Sequence, residues 1–249
     1  MHSWTGSRGY SRDRMVPFLA TPQISPIEWV WQAPEAIPMR ASAKAAFLPW
    51  ISLFEGSLPR PYQDVHGAVT VGIGMLCPLS CALGLLWRVP STGQLAGPTD
   101  VRAAYAALLA LPPGKGGVWY QSRVDLAIDP DSLEQWTEDT LLQFESTLRS
   151  PAHVGPAWDA LPAVAQLARF RTAWADGPQS QWPHLDAALA RGDWDTAMIE
   201  CWPGDTATQP SAYRASYRAV RELYGLAATY PGDQLPDPLP TGAVTSPAA

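Results

Sequence analysis

The chain has 249 residues, of which 47% are hydrophobic, and a formal net charge of −6 at pH 7. This is enough material for one large domain or two small ones, and the composition excludes a wholly disordered chain. The acidic balance, with no basic stripe, argues against broad affinity for nucleic acid or anionic membranes, and no apolar run reaches the roughly 18 residues that a membrane span needs.

The first 40 residues are rich in Pro, Trp and polar residues and show no sustained period. We interpret residues 1–40 as an N-terminal extension that lies on a surface, in which Ile27, Trp29 and Trp31 are the candidate packing residues. The start of the chain has no continuous apolar segment of the kind found in a Sec signal peptide. If the protein acts outside the cytoplasm, we therefore expect it to be delivered by another route.

A helix is predicted from Ala41, with Ser42 as a possible N-cap and apolar residues at helical spacing at Phe47, Ile51 and Phe54. Pro49 inside this stretch predicts a helix that is short or kinked near its start. The helix would carry Glu55 at its C-terminal end, with Gly56 as the natural stop.

Small and β-branched residues alternate in the next segment, so we predict a β-hairpin from Tyr62 to Met75 with Gly67 in its turn. The rest of the chain is predominantly helical in pattern. The predicted helices cover Thr99–Leu111, Pro130–Ser150, a segment that Gly177 closes, two helices that meet at Gly192, and a last helix that ends before Ala228. The fold class is therefore α+β, mainly α, with one main domain over 41–230 and an unpacked Pro-rich tail over 231–249.

The cysteine count bears on redox chemistry and on metals. Three cysteines are too few for a disulfide framework. Cys77 and Cys81 are four residues apart, but Cys201 is remote and no histidine lies at ligand spacing. Structural or incidental cysteines are favoured over a zinc pair, and the sequence predicts no metal site.

Glu55, Asp64 and Thr70 form the candidate catalytic group. Two carboxylates and a hydroxyl, presented at a helix end and on a hairpin, suit glycoside hydrolysis, which needs one protonated acid and one ionised carboxylate. Trp50 and Phe54 would desolvate the Glu55 charge, whereas Asp64 lies in a polar turn and should stay ionised. These residues alone are also compatible with a surface hairpin whose acids are simply solvated.

The pattern Glu-Gly, followed by Tyr-x-Asp-x-x-Gly-x-x-Thr-x-Gly-x-Gly, resembles the active-site signature of the phage-type lysozymes, glycoside hydrolase family 24. Eight positions match it in identity and spacing: Glu55, Gly56, Tyr62, Asp64, Gly67, Thr70, Gly72 and Gly74. The resemblance is strong over the hairpin and diffuse over the helical half, and it extends from Ala41 to Ala228. Two departures stand out: Met75 replaces a common His, and Trp174, Ala175 and Asp176 precede the helix-ending Gly177 where relatives often carry Asn and aromatic residues.

The resemblance implies a lysozyme-like fold with a small β-hairpin lobe and a helical lobe. It implies a muramidase that cleaves β-1,4 bonds between N-acetylmuramic acid and N-acetylglucosamine in peptidoglycan, with inversion and without a cofactor. Glu55 would be the general acid, and Asp64 with Thr70 would position the water. Tyr62, Gly74 and Arg214 would bind substrate. An arginine of the last helix would also lie near Glu55, and of Arg214 and Arg218 we favour Arg214. Trp119, Trp174 and Trp182 are candidates for stacking on sugars.

Three settings remain open for such a chain. One is a phage endolysin released through a holin pore; another is an antibacterial effector with a cognate immunity protein, and both act in the periplasm or cell wall. The third is a catalytically inactive lysozyme fold that binds glycan or a partner. Neither nucleic acid nor membrane insertion is expected in any of them.

Overall fold

The computed structural model describes residues 39–202 and 211–242. The expectations for the N-terminal extension up to residue 38 lie outside the described residues. Over the described part the chain is α+β and mainly helical, so the predicted fold class is confirmed at that level.

The elements alternate between short strands and helices in the first half and are helical in the second. The described helices are α1 (Ala41–Glu55), α2 (Leu79–Ala82), α3 (Pro98–Leu109), α4 (Gly117–Gln121), α5 (Pro130–Leu148), α6 (Ala163–Asp176), α7 (Pro183–Arg191), α8 (Trp194–Glu200) and α9 (Ser211–Leu226). The strands are β1 (Leu58–Gln63), β2 (Val69–Gly72), β3 (Met75–Leu76), β4 (Trp87–Val89), β5 (Gln94–Leu95) and β6 (Ala127–Ile128).

Helix α1 is longer than predicted and has a different N-cap residue. It runs without interruption for 15 residues, and Arg40, not Ser42, is its N-cap. Pro49 removes one helical hydrogen bond at a cost of about 3 kcal/mol or more, but it lies on the exposed face. The opposite face buries five side chains, and burial of each large one stabilises the fold by roughly 1.5–3 kcal/mol. The free energy gained by this burial exceeds the cost of the lost hydrogen bond. Those residues are Ala43, Phe47, Trp50, Ile51 and Phe54.

The predicted hairpin is confirmed and is one strand larger than expected. Strands β1, β2 and β3 form an antiparallel sheet in that order, in which Tyr62 pairs with Thr70, and Thr70 pairs with Leu76. A second three-stranded sheet, of order β5-β4-β6, follows it. The sequence analysis did not predict that sheet, because its strands are only two or three residues long and show no measurable alternation.

The described residues bury two hydrophobic cores. One lies under both sheets and α3 and contains Val71, Trp87 and Tyr105, among others. The other is built mainly by α1 and α5–α9. Leu133 and Trp136 of α5 pack against both cores, so α5 connects a small β-containing lobe to a helical lobe.

Helix α6 is the centre of the helical lobe. All eleven residues from Ala163 to Ala173 are buried, which is typical of a helix surrounded by others. It ends at Gly177, whose φ of 83° lies in a region that favours glycine, as the sequence predicts. The predicted break at Gly192 is also confirmed, with α7 ending there in a left-handed cap.

The tail prediction is wrong for residues 231–242, which pack against the helical lobe. The Trp50 indole donates to the Pro240 carbonyl at 2.7 Å, and the Ala163 amide donates to the Gly232 carbonyl at 2.8 Å. Leu235 and Leu239 pack on the core. A Pro-rich segment forms no regular structure, but its carbonyls still accept hydrogen bonds from neighbours. Residues 243–249 lie outside the described part.

Three further observations concern only the described residues. No helix among them is both long and apolar enough to cross a bilayer. No three His, Cys, Asp or Glu side chains among them group closely enough to hold a metal ion. Cys77, Cys81 and Cys201 are free thiols in this structure.

Candidate active site

Glu55 is the last residue of α1 and lies where the two lobes meet. Gly56 follows with a φ of 71°, and its amide closes the helix by donating to the Ser52 carbonyl. Behind Glu55, Trp50 and Phe54 pack edge to face with ring centroids 5.3 Å apart. The Glu55 side chain keeps 30% of its surface exposed, so an external molecule can reach the carboxyl group.

Tyr62 lies on β1, where it pairs with Thr70 on β2. Burial raises the pKa of its phenol, the hydrogen bond with the Thr70 side chain lowers it, and the negative charges of Glu55 and Asp64 raise it. The phenol therefore remains protonated at neutral pH and can donate a hydrogen bond.

Asp64 begins the turn between β1 and β2, and its side chain organises that turn. Its Oδ1 accepts hydrogen bonds from the backbone amides of His66 and Ala68, both at 2.8 Å. This is an Asx-type arrangement, which fixes the carboxylate relative to the backbone. Gly114 on the α3–α4 loop donates its amide to the Asp64 carbonyl, so the turn is tied to the small lobe.

Two glycines in the turn between β2 and β3 bring the sheet close to the helices. Gly74 has a φ of 82°, and a Cβ there would lie 3.2 Å from Glu55 Oε2. Gly72 has a φ of 66°, and a Cβ there would lie 2.9 Å from a Leu133 methyl group. The positive φ favours glycine at both positions, and at Gly74 a Cβ would in addition press on the candidate acid.

Arg171 on α6 is the functional residue that the sequence analysis missed. Its Nη2 donates to Glu55 Oε1 at 2.8 Å and to Ser216 Oγ at 2.8 Å, and its side chain is 1% exposed. Ser216 on α9 in turn donates to the Tyr213 carbonyl. The sequence did contain a hint of this contact, since an arginine lies on each side of Phe170 in a largely apolar helix. A buried arginine needs a charged or hydrogen-bonding partner, so these two arginines could have been predicted to form ion pairs.

A second carboxyl group lies at the C-terminal end of α6. Tyr217 donates its hydroxyl to Asp176 Oδ2 at 2.8 Å, and the Arg171 guanidinium lies 6.0 Å from the Tyr217 ring centre. Nearby, the Trp174 indole donates to the Ile73 carbonyl at 2.9 Å and so joins α6 to the β2–β3 turn. Trp174 thus has a packing role whether or not it also meets a sugar.

The structure places Gly74 against Glu55 Oε2, pairs Tyr62 with Thr70 on neighbouring strands, and puts Asp64 directly after the end of β1. Arg214 lies on α9, partly buried, but the ion pair with Glu55 is made by Arg171. A substrate contact of Arg214 stays a prediction. Trp119 carries the Arg123 guanidinium 3.9 Å above its ring, so one face of that indole is already covered.

The comparisons with known proteins give no support from relatives. No family model matches this chain, and no curated protein matches it significantly. The lysozyme resemblance therefore rests on the residues from Glu55 to Gly74 and on the site that they form.

The chemical capacity of the site follows from its parts. It offers a partly exposed carboxyl group fixed from behind by a buried arginine, a neutral phenol, and a second carboxylate fixed by backbone amides. A pair of carboxyl groups in different surroundings is the arrangement that general acid–base chemistry requires.

Proposed function

We propose that the chain is a peptidoglycan hydrolase of the muramidase type, with a lysozyme-like fold. The observation that carries the proposal is the position of Glu55 against the hairpin, where its Oε2 faces Gly74. On the same hairpin Tyr62 pairs with Thr70, and Asp64 begins the turn between their strands. The same residues carry the resemblance to the phage-type lysozymes, so the spacing in the sequence and the position of Glu55 at the hairpin support one proposal.

Each residue has a role that fits its surroundings. Glu55 donates a proton to the leaving glycosidic oxygen, since its second oxygen, Oε2, faces Gly74 and is not used by Arg171. Asp64, with Thr70, positions the water that attacks the anomeric carbon. Tyr62 binds substrate through its phenol. Inversion at the anomeric centre is part of the proposal and comes from the family resemblance.

The proposal is tested by replacing the acid. Glu55→Gln keeps the size of the side chain but cannot donate the proton, so we expect turbidity loss of purified peptidoglycan to stop. The matched control is Glu138→Gln on the exposed face of α5, which should lyse like the unchanged protein. Lysis within about tenfold of the unchanged protein by folded Glu55→Gln contradicts the assignment, because general acid catalysis contributes roughly 10²–10⁴-fold.

The roles of Asp64 and Thr70 are tested by a graded pair of variants. Asp64→Asn should lower the rate by roughly 10²–10⁴-fold if the carboxylate activates the water, and Thr70→Ala should lower it less. The first sugar product should be the α anomer. If the β anomer appears first, the reaction is not an inversion. Peptidoglycan binding without any cleavage by the unchanged protein would instead support the inactive, glycan-binding alternative.

The setting is proposed as antibacterial or phage lysis, with peptidoglycan reached from the periplasmic side. Fusion to a periplasmic signal peptide should lyse a bacterial host, whereas cytoplasmic expression should be tolerated. An effector requires an immunity protein that rescues the periplasmic case and binds the purified enzyme, and an endolysin does not. Toxicity from the cytoplasm that persists in Glu55→Gln would exclude the cell wall as the target.

A further inference from the structure

Ser216 on α9 carries a fully buried hydroxyl group that the proposed catalytic scheme does not use. Its Oγ donates to the Tyr213 carbonyl at 2.8 Å, so the hydroxyl hydrogen is used within the helix. The oxygen then acts as an acceptor for Arg171, whose Nη2 donates to it at 2.8 Å. The acceptor side of this hydroxyl therefore goes to the arginine that holds Glu55.

Two hydrogen bonds made by Nη2 orient the Arg171 guanidinium. Nη2 donates to Glu55 Oε1 and to Ser216 Oγ, each at 2.8 Å. The other two nitrogens, Nε and Nη1, are buried and have no hydrogen-bond partner among the residues that the structure describes. The guanidinium is planar, and its hydrogens form a rigid fork, so two bonds from one nitrogen fix the orientation of the whole group.

The orientation of Arg171 decides how many oxygens of Glu55 are used. An arginine beside a carboxylate often binds it with two parallel hydrogen bonds. Such a contact would use both oxygens of Glu55, including Oε2, which faces Gly74 and is the proposed site of the donated proton. In the structure Arg171 reaches Oε1 alone, and its other Nη2 bond goes to Ser216.

We propose that Ser216 is a positioning residue that acts on Glu55 through Arg171 and keeps Oε2 free for the substrate. This inference rests on the proposed function of Glu55 as general acid. A general acid must meet the leaving oxygen in a defined geometry, and a displacement of about 1 Å can lower the rate by about 100-fold. Loss of the Ser216 oxygen therefore slows the chemical step, which kcat reports, and leaves substrate binding in the groove largely as it is.

The experiment measures kcat and KM, per folded molecule, for soluble peptidoglycan fragments. Ser216→Ala removes the acceptor, so we expect kcat to fall by about tenfold while KM stays within about twofold. Ser216→Cys keeps the size of the side chain but accepts hydrogen bonds only weakly, so its kcat should fall similarly.

The matched control is Thr140→Ala on α5, which should leave both constants unchanged. Like Ser216, Thr140 donates its hydroxyl to a carbonyl of its own helix, that of Trp136 at 2.8 Å. If kcat in both Ser216 variants equals that of the control, the proposal is overturned. A fall in Ser216→Ala alone would assign the effect to the cavity left by the side chain, and a rise in KM alone would assign it to substrate binding. Either result also overturns the proposal.

A second measurement separates this inference from the proposed function. Crystal structures of the unchanged protein and of Ser216→Ala should show the Arg171 guanidinium in different orientations, with the contact to Oε1 alone kept only in the unchanged protein. That difference, without cleavage by any form, would keep the link from Ser216 to Glu55 and overturn the muramidase proposal. Cleavage by the unchanged protein, with Arg171 in the same orientation in both structures, would overturn the role of Ser216 and keep the muramidase.

Discussion

Two arginines on α6 stand two residues apart and serve different purposes. Arg169 is bidentate to Asp186, through Nε at 2.7 Å and Nη2 at 3.2 Å, and the side chains are 1% and 5% exposed. Arg171 meets Glu55 through one nitrogen and one oxygen, and Glu55 is 30% exposed. In the first pair both carboxylate oxygens are used and enclosed, and in the second one oxygen is left for an external molecule.

The surroundings of the two pairs reinforce this difference. His153 lies 3.6 Å from Asp186, and burial together with the Arg169 charge lowers the pKa of His153, so the imidazole is neutral near pH 7. The Arg169–Asp186 pair is thus a closed structural contact between α6 and α7. The Arg171–Glu55 pair borders the lobe junction and a glycine turn. Burial of the carboxylate, more than the ion pair itself, distinguishes the closed pair from the pair that holds the proposed acid.

The largest effect on stability is expected from breaking the closed pair. Asp186→Asn leaves Arg169 buried without a charged partner, which should lower the free energy of unfolding by about 3–5 kcal/mol. Urea unfolding measures this, with Asp195→Asn as the control, which should change it by less than about 0.5 kcal/mol. The lysis rate per folded molecule should stay unchanged. A small effect of Asp186→Asn would mean that the two pairs are alike.

The next effect concerns the open pair and is seen mainly in activity. Gly74→Ala places a Cβ 3.2 Å from Glu55 Oε2, whereas Gly93→Ala, at a similar positive φ, meets nothing within 4 Å. Both should lose about 1–2 kcal/mol of stability from the left-handed backbone. Only Gly74→Ala should displace the acid and slow lysis, by up to about 100-fold. If the two variants lyse at equal rates, the contact between a Cβ at position 74 and Glu55 does not affect activity.

Replacement of each arginine by lysine should have smaller effects, which still differ between the two positions. Arg169→Lys loses the bidentate geometry and should cost stability by about 1–3 kcal/mol with little effect on lysis. Arg171→Lys keeps the charge near Glu55 but cannot retain the planar contact to Glu55 and Ser216, so lysis should fall by about tenfold. Urea unfolding and turbidity assays on both variants provide the comparison. The reverse pattern would exchange the two roles.

The smallest expected effect is a change of the unfolding free energy with pH that is caused by the titration of Asp176. Its pKa is raised in the folded protein, so its contribution to stability is present below the unfolded value, near pH 4, and is lost as pH rises through the folded value. Asp176→Asn lacks this titration. The difference in unfolding free energy between the unchanged protein and Asp176→Asn should therefore move in favour of the variant as pH rises above about 4. A constant difference would show that the Asp176 proton is not linked to folding.

Local pattern in the sequence determined the elements whose cause is local. Helical spacing and caps predicted α5 and α6, Gly192 predicted the corner between α7 and α8, and turn residues predicted the hairpin. The candidate site was predicted for the same reason, since Glu55, Tyr62, Asp64 and Thr70 lie within 16 residues on a helix end and one hairpin.

Only the tertiary structure decided the contacts between distant segments. Arg171 is 116 residues from Glu55, and nothing in the spacing says which of several arginines reaches the acid. Pro49 is tolerated because the opposite face of α1 is buried by other helices, and the Pro-rich tail packs because the Trp50 indole meets the Pro240 carbonyl 190 residues away. Such contacts depend on which surfaces meet once both cores have formed, and the free energy of burial then overrides local preference.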